Sequence, residues 1–173
     1  MKNWDKTFIE IAEKFAEQST CVKRKVGAVL VKDLRILSTG YNGTPSGFCN
    51  CNVVFRDKDE KTGEINLNTG VIYVGKSQFD NHEYINHHDF AERYEIHAEQ
   101  NCLSFAAKNG VSTDGCILYV TTAPCVHCAK IIIASGIKCV IYKEIYKNDF
   151  GIKLLEEAGV SVISVESAES LVR

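Results

Sequence analysis

The sequence predicts a three-layer α/β/α fold, in which helices flank a mixed sheet of about five strands. Two patterns in the 173-residue chain indicate this fold. An antiparallel hairpin comes early, and from His97 onward helical and strand patterns alternate. Alternation of this kind implies parallel strands joined by helices, so the hairpin and the parallel strands together make the sheet mixed.

The first elements are a helix and the hairpin. Apolar residues recur at helical spacing, with charged residues between them, at Trp4, Phe8, Ile11, Ala12 and Phe15. One face of this helix is therefore expected to cover the sheet. The runs "VGAVLVKD" and "RILSTGYNG" follow on either side of a polar turn at Asp33, and their branched residues predict the two strands of the hairpin.

The second half of the chain supplies the other strands and their covering helices. Gly110 and Gly136 each follow a helical pattern, and glycine is common just past a helix C-terminus. The predicted elements, in order, are a helix from His97 to Asn109, a strand over Cys116–Thr121, a helix from Cys125 to Ser135, a strand over Lys138–Tyr142, a helix at about Phe150–Ala158 and a strand over Val160–Val165.

The middle of the chain lacks such a pattern. From Tyr41 to Glu95 it is polar, with Gly, Asn and Asp at close intervals and with "GVIYVG" as its one plausible strand. We therefore expect a single domain over residues 1–173 that carries an irregular insert at about 48–95. About fifty residues without a core of their own need a tether to stay ordered.

Composition disfavours several classes of function. The net charge of −2 argues against a binder of polymeric DNA or RNA. No apolar run approaches the roughly 18 residues of a membrane span, and no secretory leader is apparent, so we expect the protein in the cytoplasm, that of the host if it is viral. Eight cysteines in this reducing compartment indicate metal ligands rather than disulfides. Cys102, Cys116 and Cys139 lie in apolar runs and are expected to be small core residues.

Two other cysteines have the spacing of metal ligands. Cys125 and Cys128 stand three apart at a predicted helix start, where unpaired backbone N–H groups favour thiolates. Pro124, just before them, suits the entry to a helix. By itself this spacing also fits a redox pair, half of a structural zinc site or two buried thiols.

His97 and Glu99 favour a catalytic zinc site. His97 begins the preceding helix, and two thiolates with one imidazole leave a fourth zinc position for water, which is the catalytic pattern. Glu99 is expected to act as a general acid/base on that water rather than as a ligand. Taken alone, His97 is an ordinary surface or core histidine, and Glu99 is an acid favoured by the helix dipole.

The motifs His97-Ala98-Glu99 and Pro124-Cys125-Val126-His127-Cys128 resemble the signature of the cytidine deaminase superfamily. Together with "VGAVLVKD", "STGYNGTPSG" and "SGIKCVIY", they are similar to the deoxycytidylate (dCMP) deaminases, especially the bacteriophage type. The resemblance implies a cytidine deaminase-like fold and zinc-dependent hydrolysis of dCMP to dUMP and ammonia, which supplies dUMP for dTMP synthesis. Glu99 would take a proton from water and deliver protons to N3 and to the departing amine.

The resemblance also implies contacts to the sugar and the base. Asn42 would contact the sugar, whereas the residues alone favour a turn asparagine before Gly43. The backbone of Ala98, with a second backbone donor near Thr122 to Ala123, would contact the base.

Contacts to the 5′-phosphate are implied elsewhere. Lys23 and Arg24 lie in a basic run, "CVKRKVG", which is otherwise interpreted as solvated surface. Of the two, Arg24 is preferred as the phosphate partner. Tyr146 matches a tyrosine that the family places near the phosphate.

A second, structural zinc is a further implication, because phage-type members often carry one. Alignment of the motifs places four residues on its ligand positions, Cys21, Cys51, His87 and Glu95. Four ligands close the coordination shell, so this zinc would tether the insert and would not catalyse. Cys49 and His88 are neighbours that could replace two of the four.

The resemblance finally implies a homohexamer that dCTP activates and dTTP inhibits, with Mg²⁺ accompanying the triphosphate. The loop of Gly43, Thr44 and Gly47 would take the nucleotide phosphate at its backbone amides. Phe105 and Lys108 would lie at the effector site and the subunit contacts. Lys108 departs from the expected arginine, so the planar two-pronged grip on an effector is lost.

Other functions stay open. Zinc and Glu99 do not read the 5-substituent, so a modified nucleotide such as 5-hydroxymethyl-dCMP, or free cytidine, is an alternative substrate. A zinc-stabilised binding module without catalysis is the alternative from another class, and Glu99 would then be a helix-start acid. Deamination of tRNA or another polynucleotide is disfavoured, because the sequence shows no basic stripe.

Overall fold

The elements of the chain form two sets, one large and one small. The computed structural model describes residues 4–56, 65–68, 70–73, 82–145 and 148–166. The helices are α1 (Trp4–Ala16), α2 (Cys51–Val54), α3 (His87–Tyr94), α4 (Ala98–Lys108), α5 (Val126–Ala134) and α6 (Phe150–Glu157). The strands are β1 (Gly27–Lys32), β2 (Arg35–Tyr41), β3 (Gly70–Tyr73), β4 (His82–Ile85), β5 (Ile117–Thr122), β6 (Cys139–Glu144) and β7 (Ser161–Ser164). Among the residues described, the structure contains no helix with the length and apolar character of a membrane span.

Contacts divide the chain into two compact units. Unit 1 comprises Met1–Ser19, Lys25–Asn42 and His97–Arg173, and it holds the five-stranded sheet. Unit 2 comprises Thr20–Arg24 and Gly43–Ile96, and it holds α2, α3 and the pair β3–β4. The expected insert at about 48–95 falls within unit 2, which also includes Thr20–Arg24 and begins its longer segment at Gly43. The expectation of a single domain stays a prediction.

The sheet of unit 1 is mixed, as the sequence predicts. Its strand order is β2-β1-β5-β6-β7, with β1 antiparallel to both of its neighbours and β5, β6 and β7 parallel. The hairpin turns at Asp33 and Leu34, whose φ angles are 50° and 59°. A two-residue turn with positive φ at both positions matches the right-handed twist of the strands that it joins.

Side chains alternate between the two faces of this sheet along each strand, and the buried clusters on both faces are apolar. On one face α1 packs with Phe8 and Ala12 against Val29, Val31 and Tyr119. On the other face α4, α5 and α6 cover the residues in between, among them Ala28, Leu30, Leu118, Val120 and Val140. Helices on both faces give the three layers, so the predicted fold class is confirmed.

A close approach between β2 and α4 holds the helix that carries His97 and Glu99. A Cβ atom on Gly40 would lie 2.5 Å from both the Ala98 carbonyl oxygen and the Cys102 amide nitrogen. The Ser38 hydroxyl also donates to the Cys102 carbonyl oxygen at 2.7 Å. The first turn of α4 therefore rests directly on the backbone of the strand.

Unit 2 corrects the expectation of an irregular middle without a core. Its described residues include the antiparallel pair β3–β4, of which β3 matches the predicted strand, and the helices α2 and α3. It has its own buried cluster, formed by Cys21, Cys51, Val54, Phe55, Ile85 and Phe90. The prediction was wrong because elements of four to eight residues are too short to display a periodic pattern.

The three cysteines expected to be small core residues are buried or half-buried. Cys102 and Cys116 are buried, and Cys139 is half-buried. Burial raises the pKa of the Cys102 thiol to about 12, so this residue stays an uncharged small hydrophobe at physiological pH.

Candidate metal centres

His97 and Glu99 stand at the N-terminus of α4. His97 is the N-cap residue, with extended backbone angles of −71° and 156°. Its backbone N–H donates to Oε1 of Gln100 at 3.0 Å, which fixes the cap from within the first helical turn. Glu99 lies in that same turn, and it is 4% exposed.

Cys125 and Cys128 stand in the same way at the start of α5. Cys125 is the N-cap residue and Cys128 follows in the first turn, where its side chain is buried. The preceding loop is held by the Ala123 N–H, which donates to the Glu144 carbonyl oxygen at 2.7 Å. Both ligand-bearing turns thus begin helices that pack on the same face of the sheet of unit 1.

These two helix starts bring three candidate ligands together. The sulfurs of Cys125 and Cys128 lie 3.6 Å and 3.3 Å from Nδ1 of His97. A tetrahedral zinc ion with the usual Zn–S and Zn–N bond lengths separates such ligand atoms by about 3.5 Å. The three atoms therefore fit a zinc ion in distance and in chemical type, and their part as ligands stays a proposal.

Glu99 lies beside this cluster and not in it. The group of possible ligand atoms comprises His97, Cys125 and Cys128 alone. Burial raises the pKa of the Glu99 carboxyl, and the carboxyl also interacts with Cys128 and with the charge of His97. A carboxyl whose pKa is raised toward neutrality, next to a three-ligand site, can both accept and release a proton.

The two thiols of this cluster differ in acidity. A hydrogen bond with Cys128 lowers the pKa of Cys125 to about 3, because the partner thiol stabilises the Cys125 thiolate. The same pairing raises the pKa of Cys128, and burial raises it further. The pairing thus favours the thiolate at Cys125, and a divalent cation would favour the thiolate of both residues.

A second cluster lies wholly within unit 2. Nε2 of His87 is 3.5 Å from the Cys21 sulfur and 3.4 Å from the Cys51 sulfur, and Glu95 completes a group of four. Cys51 and His87 are the first residues of α2 and α3, and Glu95 is the C-cap residue of α3. The neighbours Cys49 and His88 are exposed and stand outside the cluster.

A cation would satisfy the buried carboxylate of Glu95 in this second cluster. Oε1 of Glu95 is buried and has no hydrogen-bond partner among the described residues. Burial, followed by the charge of Cys21, raises the pKa of Glu95 to about 7. Since an unsatisfied buried oxygen is costly, a metal ion that binds it together with two sulfurs and an imidazole fits this site.

The residues expected to bind the sugar and the base are mostly buried in unit 1. Oδ1 of Asn42 accepts the Val26 N–H at 2.8 Å, and the Asn42 N–H donates to the Val26 carbonyl oxygen at 3.1 Å. Ala98 is fully buried, and Thr122 is buried at the end of β5. The Ala123 N–H donates to the Glu144 carbonyl oxygen, and the expected contacts of Ala98 and of a backbone donor near Thr122 to the base stay predictions.

The residues expected at the phosphate lie elsewhere or beyond the described chain. Lys23 and Arg24 belong to unit 2. The pKa of Cys21 falls to about 3, chiefly through its hydrogen bond with Cys51, and the backbone N–H groups of Arg24 and Lys23 add to this effect. Tyr146 lies outside the described residues. Contacts of these three side chains to a phosphate stay predictions.

The loop expected to meet a nucleotide effector is internally bonded. The Gly43 N–H donates to the Ile96 carbonyl oxygen at 3.1 Å and so is not available to a phosphate, which corrects the expectation for this amide. Thr44 Oγ1 lies 3.3 Å from the side-chain oxygen of Asn50, and Gly47 has a φ of +94° that suits glycine. In unit 1, Phe105 and Lys108 are exposed on α4.

Sequence reasoning missed three residues that hold the site in place. Gln100 caps His97, and the spacing of three between them is the signal of a capping box. Gly40 stands inside a strand pattern, where a glycine often marks a close approach of another backbone. Ser38 carried no recognisable signal, because its bond to Cys102 joins residues that are far apart in sequence.

Known proteins resemble this chain over nearly its full length. The cytidine and deoxycytidylate deaminase zinc-binding region, as a family model, matches residues 2–144. Deoxycytidylate deaminase of Enterobacteria phage T2 is 38% identical over 170 residues, which cover 92% of this chain and 90% of the relative. The human deoxycytidylate deaminase is 32% identical, over 80% of this chain and 64% of its own length. A solved dCMP deaminase of cyanophage S-TIM5, in complex with dCMP and dUMP, is 34% identical with a TM-score of 0.70, over 95% of this chain and 99% of that one.

Proposed function

Because the chain belongs to the cytidine and deoxycytidylate deaminase family, we propose that it hydrolyses dCMP to dUMP and ammonia. The observation that carries the proposal is the arrangement in unit 1, where three candidate metal ligands converge and the buried Glu99 stands beside them. The solved cyanophage relative binds both dCMP and dUMP, which supports this substrate. The product dUMP would serve dTMP synthesis.

The reaction assigns one role to the metal and one to the carboxylate. His97, Cys125 and Cys128 would hold a zinc ion, which when bound would lower the pKa of a water ligand to about 7 and so provide a nucleophile for C4 of cytosine. Glu99 would accept one proton from the attacking water and pass it to N3. It would then accept the proton of the new C4 hydroxyl and deliver it to the amine, which leaves as ammonia as the C4–N bond breaks. Its raised pKa suits both directions of transfer.

Substrate binding is proposed at the residues that the family motifs mark. The Val26 N–H holds Oδ1 of Asn42, so the amide group has a fixed orientation for the sugar. Ala98 and Thr122 would line the base. Lys23, Arg24 and Tyr146 would serve the 5′-phosphate, with Arg24 as the main cation because its planar fork matches phosphate oxygens.

The remaining parts of the proposal concern stability and control. Zinc at Cys21, Cys51, His87 and Glu95 would have a closed shell and would tether unit 2. We also propose a cytoplasmic homohexamer that dCTP activates and dTTP inhibits, with Mg²⁺ accompanying the triphosphate. The effector contacts would be those of Thr44, Gly47, Phe105 and Lys108, and the exposed positions of Phe105 and Lys108 support a role in contacts.

Glu99→Gln tests the catalytic assignment. Glutamine keeps the shape of the side chain but cannot carry the proton, so kcat for dCMP should fall by about 10²–10⁴-fold. The zinc content measured by metal analysis should stay unchanged, because Glu99 is not a ligand. Glu10→Gln on the exposed side of α1 is the matched control and should keep full turnover. Undiminished turnover in Glu99→Gln would refute the role of Glu99, whereas a lack of dCMP turnover in the zinc-loaded protein without substitutions would favour a zinc-stabilised binding module.

The turnover rates of dCMP, cytidine and 5-hydroxymethyl-dCMP test whether the enzyme requires the 5′-phosphate and which substituent it prefers at C5 of the base. We expect dCMP to react faster than cytidine, because Arg24 and its neighbours would lose their phosphate partner in the nucleoside. A rate for 5-hydroxymethyl-dCMP equal to or above that for dCMP would identify the modified nucleotide as the substrate. Activity on cytidine alone would overturn the phosphate assignment.

A further inference from the structure

The start of α6 presses on the backbone that carries Cys125. Gly151 is the second residue of α6, and it is buried. A Cβ atom built on Gly151 would lie 1.9 Å from the Pro124 carbonyl oxygen and 2.9 Å from the Cys125 carbonyl carbon. The peptide between Pro124 and Cys125 thus lies directly against the backbone of α6.

Space, and not backbone conformation, is the reason for glycine at this position. Gly151 is helical and is not among the glycines with positive φ. Alanine is the better helix former, so the helix itself would favour alanine here. The atoms in the way are backbone atoms, so no side-chain rotation relieves the contact.

Neither side of this contact moves freely. The Pro124–Cys125 peptide follows Ala123, whose N–H is bound to the Glu144 carbonyl oxygen at 2.7 Å. Helix α6 is anchored by Leu155, which is fully buried in the core of unit 1. A methyl group at position 151 therefore displaces the helix, the peptide or both.

We propose that Gly151 is a positioning residue of the metal centre: by lacking a side chain, it lets α6 fix the Pro124–Cys125 peptide and, with it, the distance from the Cys125 sulfur to His97 and Cys128. The inference rests on the proposed function only in that a metal binds these three residues. Gly151 belongs to neither of the two motifs that supply the ligands.

The expected displacement is large compared with what a metal site tolerates. The contact of 1.9 Å must open by about 1 Å before it reaches 3.0 Å, below which real Cβ contacts are essentially never found. Metal–ligand distances are held to within about 0.2 Å. Even a fraction of this displacement, transmitted to Cys125, changes the coordination geometry.

The test is Gly151→Ala, with Gly27→Ala as its matched control. A Cβ atom on Gly27 would also lie 1.9 Å from a backbone oxygen, that of Ala12 in α1, so both variants create the same local clash in unit 1. Zinc affinity is measured by competition with a chelator, and geometry by the absorption bands of the cobalt-substituted protein. The cluster of unit 2 is unchanged in all proteins and cancels in difference spectra.

We expect Gly151→Ala to weaken zinc binding at the three-ligand site by about 10–100-fold and to shift its cobalt bands. Gly27→Ala should lose stability comparably while its zinc affinity stays within about twofold of the unchanged protein, since α1 carries none of the ligands. Unaltered affinity and spectrum in Gly151→Ala would overturn the inference, even if its stability falls. Equal metal loss in both variants would overturn it as well.

Leu155→Val is a milder second variant, because it adds no atom and loosens the buried packing that anchors α6. It should shift the cobalt bands by a smaller amount. If Gly151→Ala does not fold, an unchanged spectrum in Leu155→Val overturns the inference. A chain without substitutions that shows no thiolate–cobalt spectrum at this site overturns the proposed function too, and this outcome distinguishes the two failures.

Discussion

Units 1 and 2 each bring two thiols and one imidazole within metal-binding distance, and they differ in the place of the carboxylate. In unit 2, Glu95 is a member of the ligand group, which makes four ligands. In unit 1, Glu99 is buried next to the group but outside it, which leaves three. A metal ion would therefore have a closed shell of four ligands in unit 2. In unit 1 it would keep one position for water, next to a carboxylate that could move the protons of that water.

The two units also differ in how much of their stability lies in apolar packing. Unit 1 has a five-stranded sheet with an apolar cluster on each face. Unit 2 has a single small cluster, in which two of the six residues, Cys21 and Cys51, are themselves candidate ligands. A core of this size rarely sustains a fold by itself, so unit 2 should depend on its metal and unit 1 should not.

Removal of the metal should produce the largest difference in stability between the two units. Structural zinc contributes about 10–16 kcal/mol in small zinc-dependent peptides, so a strong chelator should unfold unit 2. Amide hydrogen exchange measured by mass spectrometry should then show loss of protection in α2 and α3, while β1, β5 and β6 remain protected. Equal loss of protection in both units, or retained protection in α3, would contradict the assignment of Cys21, Cys51, His87 and Glu95 as a tether.

The sequence could predict the sheet of unit 1 because the signals there are local. The run of branched apolar residues in "VGAVLVKD" and the helical spacing after His97 each span several residues. In unit 2 only β3 was predicted among the described elements. Helix α2 could not be predicted, since it is one turn long and its burial depends on contacts with residues such as Ile85 and Phe90, far along the chain. Propensity says little about so short a segment.

The candidate site divides along a similar line. His97, Cys125 and Cys128 could be predicted because metal ligands need fixed residue types at fixed spacings. Glu99 could be predicted because it stands two residues from His97. The supports could not be predicted, because the contact of Gly151 with Pro124 depends on how α6 packs. The sequence also could not show which backbone donors are available, because the state of the Ala123 amide depends on the hydrogen bond between its loop and Glu144.

Glu95→Gln tests directly whether the carboxylate of unit 2 is a metal ligand. Its effect should be smaller than that of removing the metal. Glutamine binds zinc more weakly than a carboxylate, so the affinity of the unit 2 site should fall by about 10–100-fold, measured by chelator competition. Turnover of dCMP at saturating zinc should stay within about twofold of the original value, because the three-ligand site keeps its residues. Glu99→Gln should show the opposite pattern, with full zinc content and little turnover. A loss of zinc from Glu99→Gln, or of turnover from zinc-loaded Glu95→Gln, would mean that the two carboxylates do not differ in role.

Tyr119→Phe should have the smallest effect and tests whether unit 1 owes its stability to packing. The Tyr119 hydroxyl donates to Oδ1 of Asp5 at 2.7 Å and ties β5 to α1, while its ring is buried against Phe8. Phenylalanine keeps the ring and removes the hydrogen bond, so the unfolding free energy of the sheet should fall by about 1 kcal/mol. The loss should be the same in metal-loaded and metal-free protein, as measured by exchange of the β5 amides. A loss that appears only in the metal-free protein would show that the metal also supports the sheet, because a contribution from packing alone does not change when the metal is removed.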